Sequence, residues 1–205
     1  KGQSTLGPFD GVLGLFARTG AATRIAIEQL NVSKTSVTGN LALGQGFATG
    51  RLALTGGGID GTIDLAQREG GQGFAALLMA NDARFGGEVP LTIASGRLEA
   101  QGLLRKGHSS ITANLQGQGI GQGQLFIGRV AANARLTDGR GQITASLTGR
   151  RGSRFELQLL GDHAPDRLAL AEQGQFAGPR LLLPRRPRPT RAGLGWRLDP
   201  PPADF

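Results

Sequence analysis

Three short segments, GNLAL at Gly39, GRLAL at Gly50 and GTIDL at Gly61, begin eleven residues apart, and GRLEA (Gly96), GQLFI (Gly123) and GQITA (Gly141) repeat their pattern further along. An eleven-residue period also describes a right-handed helical supercoil. That alternative fails here, because the apolar residues alternate instead of recurring at three and four, glycine sits inside each repeat, and Thr and Ile favour strands. The repeat is therefore read as strand plus turn, or two repeats per hairpin.

The alternation extends through most of the chain: Leu41 and Leu43, Leu52 and Leu54, Ile63 and Leu65, Leu98 and Ala100, Ile111, Ala113 and Leu115, Ile143, Ala145 and Leu147, then Phe155, Leu157 and Leu159. Between them stand Asn40, Arg51, Thr62, Asp64, Glu99, Thr112, Asn114, Glu156 and Gln158. One apolar and one wet face per strand predicts an all-β, long antiparallel meander with one side in water. ATRIAIEQL (Ala22 to Leu30) is read as a further strand because Ile25 and Ile27 alternate, and FAALLMA (Phe74 to Ala80) is strand-sized. Residues 1–183 form the repetitive region. Residues 184–205 are a Pro/Arg-rich linker, edge segment or tail, since proline cannot donate to a sheet ladder.

Composition narrows the interior. Glycine supplies 35 of 205 residues, more than twice the usual share of about 7%, without collagen triplets or Ser-rich tracts. It is read as punctuation at turns and bulges. With nine Phe, one Trp and no Tyr, the apolar side is built from Leu, Ile, Val and Ala. Ala100, Ala113, Ala132, Ala134 and Ala145 are too small to fill a sandwich about 10 Å thick. No cysteine is present, which excludes disulfides and thiolate metal sites. The net charge of +8 is scattered except for RRPRPTR (Arg185 to Arg191), and anionic lipid headgroups or nucleic acid fit such an excess. No run reaches the 18 apolar residues of a membrane span. The sequence opens at Lys1 within a strand region, and it is read as a fragment of a larger chain.

Catalytic constellations are missing, so the chain is read as a non-enzyme without cofactor or metal. His108 and His163 stand in GHSS and GDHAPD and are read as solvated loop histidines. Asp60 and Asp64 share a strand face at a spacing of roughly 13 Å, beyond the reach of a carboxylate pair. GGGIDG (Gly56 to Gly61) meets the dinucleotide fingerprint formally, but a strand follows it where a phosphate-binding helix is required. No nucleic-acid partner is expected, because basic residues lack interleaved aromatics and Phe155 shares its face with Leu157 and Leu159.

Long glycine-punctuated strands in GNLALGQGFATGRLALTGGGIDGTIDLA, in GQGFAALLMANDARFGGEVPLTIASGRLEAQGLL and in the stretch from Gly121 to Arg186 resemble the TamB family, the translocation and assembly module subunit of Gram-negative envelopes, related to AsmA-like proteins. The resemblance spans roughly Thr35 to Pro201. It carries no single functional residue, only the apolar strand face. It implies a β-sheet curled into an open, taco-like groove with the apolar face inward, in the periplasm. The implied full-length protein is anchored in the inner membrane through an N-terminal helix and meets an Omp85-type outer-membrane barrel. The implied activity is phospholipid transfer between the membranes, outer-membrane protein (autotransporter) assembly, or both.

Two arrangements remain open from the pattern. Facing apolar sides give a sandwich or barrel core. An incompletely curled sheet leaves a trough for phospholipid acyl chains, each buried CH₂ contributing about 0.8 kcal/mol. Its expected lining is Leu41, Leu43, Leu52, Leu54, Ile63, Leu65, Leu98, Ile111, Ala113, Leu115, Ile143, Ala145, Leu147, Phe155, Leu157 and Leu159. The alternative function is a β-rich scaffold or chaperone whose edges pair with nascent outer-membrane strands.

Overall fold

The computed structural model describes residues 2–4, 7–17, 22–32, 34–44, 46–86, 90–164, 167–176, 180–182, 188–192 and 195–199. Every element among them is a strand: β1 (Gly2–Ser4), β2 (Gly7–Phe16), β3 (Thr23–Val32), β4 (Thr35–Gly44), β5 (Phe47–Thr55), β6 (Ile59–Arg68), β7 (Gly71–Phe85), β8 (Leu91–Arg105), β9 (His108–Gln122), β10 (Leu125–Thr137), β11 (Arg140–Arg151), β12 (Ser153–Ala164), β13 (Arg167–Phe176), β14 (Arg180–Leu182), β15 (Arg188–Ala192) and β16 (Gly195–Asp199). The first fourteen form one antiparallel sheet in strict sequence order, and β15 and β16 form a separate pair. The order does not close on itself, so the sheet is an open meander and not a barrel. Two-residue turns with both residues at positive φ, the kind that suits right-handed strand twist, join β6 to β7 (Glu69 and Gly70, 47° and 71°) and β10 to β11 (Asp138 and Gly139, 53° and 67°).

The glycine expectation is corrected. The repeat glycines Gly39, Gly50 and Gly61 lie inside β4, β5 and β6, not at their turns. The turns fall elsewhere, so each hairpin keeps the repeat's length but is phased differently. At Gly50, φ is 143° and a Cβ would lie 2.0 Å from the Asn40 carbonyl oxygen; at Gly141, φ is 152° and a Cβ would lie 2.0 Å from that of Arg135. Only glycine allows the neighbouring strand so close. Beyond the repeat the strands lengthen, with β7, β8 and β9 each reaching 15 residues.

Pairing between β5 and β6 runs only from Gly50–Leu65 to Leu54–Gly61. Past that point the side chain of Gln72, from β7, bonds β5 instead. The Ala48 N–H donates to its Oε1 at 2.7 Å, and its Nε2 donates to the Ala48 carbonyl at 3.0 Å. Cα atoms of β5 and β7 come within 8 Å of each other, whereas strands two apart in a flat sheet lie about 9.6 Å apart. Gln72 shares the parity of Phe74 and Ala76, so the sheet bends at β6 toward that side.

No sealed interior results. Among the described residues the only buried apolar ones are Ala83, Phe155 and Ala164, and no large side chain is fully buried. Ala83 and the buried Thr35 lie against the Gly56 to Gly58 turn: the Thr35 hydroxyl donates to the Gly56 carbonyl at 3.2 Å, and a Cβ on Gly58 would meet the Ala83 Cα at 2.6 Å.

Candidate functional site

Because directly opposed residues of neighbouring strands project to the same side, the ladder registers sort every side chain onto one of two faces. One row runs Ile25, Leu41, Gly50, Leu65, Phe74, Gly102, Ile111, Leu136, Gly141. Beside it runs Ile27, Gly39, Leu52, Ile63, Ala76, Ala100, Ala113, Ala134, Ile143, Gly161. The third holds Val37, Leu54, Gly61, Leu78, Leu98, Leu115, Ala132, Ala145, Leu159. Two more, toward the β11–β12 turn, hold Gly117, Val130, Leu147 and Leu157, then Ile93, Ile120, Ile127, Gly149 and Phe155. Leu43 lies on the same face beyond the first row, opposite Ala48.

All of the expected lining residues therefore stand on a single face. Sequence reasoning missed Ile25, Ile27, Phe74, Leu78, Ile93, Ile120, Ile127, Val130 and Leu136, which continue the rows. FAALLMA contains the signal for two of them, since Phe74, Ala76, Leu78 and Ala80 alternate within it.

Glycine is concentrated on this same face, at Gly39, Gly50, Gly61, Gly96, Gly102, Gly117, Gly141, Gly149 and Gly161. Aromatic rings lie over two of them: a Cβ at Gly102 would meet Phe74 Cε1 at 2.6 Å, and one at Gly149 would meet Phe155 Cζ at 2.7 Å. Small residues on one side of a sheet let it curve that way, and rings covering the gaps keep the backbone from water. The apolar rows are half-buried apart from Leu43 and Leu115, which are exposed, while their polar neighbours on β11, Thr144, Ser146 and Thr148, are exposed. Single-layer side chains reach this level of burial by crowding one another.

The polar face carries Asn40, Arg51 and Asp64 in one row, and Glu99, Asn114, Asn133 and Thr144 in another. Arg51 grips Asp64 with two hydrogen bonds, the Nη2 one at 3.2 Å, and this contact raises the guanidinium's pKa. The Asn133 amide donates to Asn114, and Arg97 pairs with Glu99. Leu77, Met79 and Leu160 project to this side and are exposed, so the alternation is not pure. The three described depressions open on this face. The largest described, about 650 Å³, is walled by the rows of Asn114, Asn133, Thr144 and Leu160 and of Gln116, Ala131, Ser146 and Gln158.

The histidine expectation is corrected. His108 opens β9 and His163 lies within β12, and both hold the Asp138–Gly139 turn. His108 Nδ1 lies 2.9 Å from Asp138 Oδ1, and His163 Nδ1 donates to the Gly139 carbonyl at 2.8 Å. The Ser109 N–H donates to Asp138 at 2.7 Å; this bond first, and His108 second among favourable contacts, lower the Asp138 pKa. Asp60 and Asp64 lie on the polar face opposite Met79 and Ala75. GGGIDG is a turn closed by the Ile59 N–H on the Gly56 carbonyl and leads into β6. No group of three or more His, Cys, Asp or Glu able to hold a metal occurs among the described residues. No helix is long and apolar enough to cross a membrane among them. Of RRPRPTR, residues 185–187 lie outside the described ones, and Arg188 to Arg191 belong to β15.

Comparisons with protein-family models, curated proteins and solved structures find no match.

Proposed function

We propose that this chain is a segment of a periplasmic, TamB-like β-groove that guides phospholipid acyl chains along its apolar face, in cell-envelope biogenesis between inner and outer membranes. The observation that carries this reading is the run of mainly aliphatic and glycine rows across one face of an open sheet, with no large side chain fully buried among the described residues. A face of Leu, Ile, Val and Ala solvates hydrocarbon without directional bonds, so lipids slide along it without a reaction. The outer rows of Asn, Gln, Thr and Arg stay in water.

Outer-membrane protein assembly is the companion role on the same surface. The edge-pairing alternative draws on the sheet's openness.

The test is gentle purification followed by mass spectrometry for bound phospholipid. Recovery of phospholipid that is lost in Leu147→Asp with strand content unchanged supports the groove. Equal recovery from both proteins rejects it, and loss of assembly activity on proline substitution at an edge strand favours the edge-pairing reading.

A further inference from the structure

The two ends of the sheet's long strands differ in how their charges are matched. At the end holding the β8–β9 and β10–β11 turns, Arg105 lies 3.7 Å from Glu69, and His108 lies 2.9 Å from Asp138. At the opposite end, Arg150 and Arg154 stand directly across from each other on β11 and β12, with Arg151 beside the same turn and Arg129 further in, opposite Thr148. Like charges directly opposed repel. Among the described residues, ion pairs go to Arg51, Arg97, Arg105 and His108, and none reaches these four arginines. Glu156, also opposite Thr148, is the acid nearest them along β12.

Phe126 lies opposite Arg150, whose guanidinium centre sits 5.2 Å from the ring centroid, and the ring is 40% exposed. The apolar face reaches the same end through Ile127 and Phe155. Uncompensated arginines, an accessible ring and a hydrocarbon-compatible face thus converge on one rim. A bilayer interface offers the matching partners: phosphate for guanidinium, the headgroup boundary for the ring, and acyl chains for the aliphatic rows.

We propose that this arginine rim docks on an anionic phospholipid surface. The choice of a bilayer over another polyanion rests on the groove reading, since the aliphatic rows that end at this rim match acyl chains and offer a nucleic acid nothing.

The experiment is co-sedimentation of the whole chain with vesicles of phosphatidylglycerol mixed into phosphatidylcholine, against phosphatidylcholine alone. Each arginine near an anionic surface contributes about fivefold to partitioning. The combined Arg150→Gln, Arg151→Gln, Arg154→Gln variant is therefore expected to bind about a hundredfold more weakly, and the corresponding triple Lys variant to retain binding. A charge-matched control, Arg68→Gln, Arg135→Gln, Arg140→Gln, is expected to bind like the parent. Equal loss in the control, equal binding to both vesicle types, or single-stranded DNA binding that vesicles do not compete overturns the proposal. A rim variant that sediments with the vesicles as the parent does while retaining co-purified phospholipid rejects the dock and leaves the groove. Docking without any bound phospholipid rejects the groove as the reason for it.

Discussion

The two faces of the sheet share one backbone but differ in what they allow it to do. Most strand glycines stand on the apolar face and admit neighbouring strands or rings to within distances that a Cβ forbids, whereas the polar face has fewer of them, some hemmed in like Gly71 and some open like Gly44. The contrast teaches that curvature is written into the side bearing the small residues, and that the same residues deprive that side of the bulk needed to fill an interior. Bending and emptiness share one cause.

Breaking the contrast at the backbone has the largest expected effect. Gly141→Val, with φ of 152° and a clash at Arg135, is expected to cost about 3–4 kcal/mol in urea unfolding, while Gly44→Ala stays within about 1 kcal/mol. Equal costs would erase the difference between the faces. Next comes a charge on either side. Leu147→Asp, half-buried on the apolar face, is expected to reduce co-purified phospholipid at least about tenfold, consistent with the cost of a charge in apolar surroundings. Leu77→Asp, on the polar face, is expected to leave it unchanged and to move stability by no more than about 0.5 kcal/mol. Lipid loss from both variants would show that the faces do not divide the work.

The smallest effect is on pH. Asp138 has a lowered pKa in the folded protein, so its carboxylate stabilises the fold at pH above the unfolded value of about 3.9, and that stability is lost as pH falls through the lower folded value. Acid titrations of Asp138→Asn and the parent are expected to diverge above that window and to converge below it. Identical curves would mean that the His108, Ser109 and Asp138 contacts do not secure this turn.

The strands and the common face of the apolar residues named from the sequence were legible because alternation survives any curvature. Leu41 to Leu65 and Ile143 to Leu159 show it without reference to neighbours. The location of the glycines was not, since the repeat GNLAL reads equally well with its glycine at a turn or inside a strand, and only the partner's register decides. The Gln72 bridge was hidden for a related reason: an amide that replaces a missing ladder bond depends on where β6 parts from β5. The histidines were misread as loop residues because glycine flanks both, and their shared turn joins positions far apart in sequence. The exposed Leu77 and Leu160 show the remaining limit, as a hydrophobic residue carries no label for its face when its neighbours are also hydrophobic.

Strict sequence order across the sheet also sets how such a molecule changes size. Its long dimension lies perpendicular to the strands, where fourteen of them at about 4.8 Å spacing extend roughly 62 Å along the curved surface. Inserting or deleting one hairpin alters that reach by about 10 Å without rethreading any other connection. Duplication of a short stretch of coding sequence is then a sufficient means of lengthening the sheet.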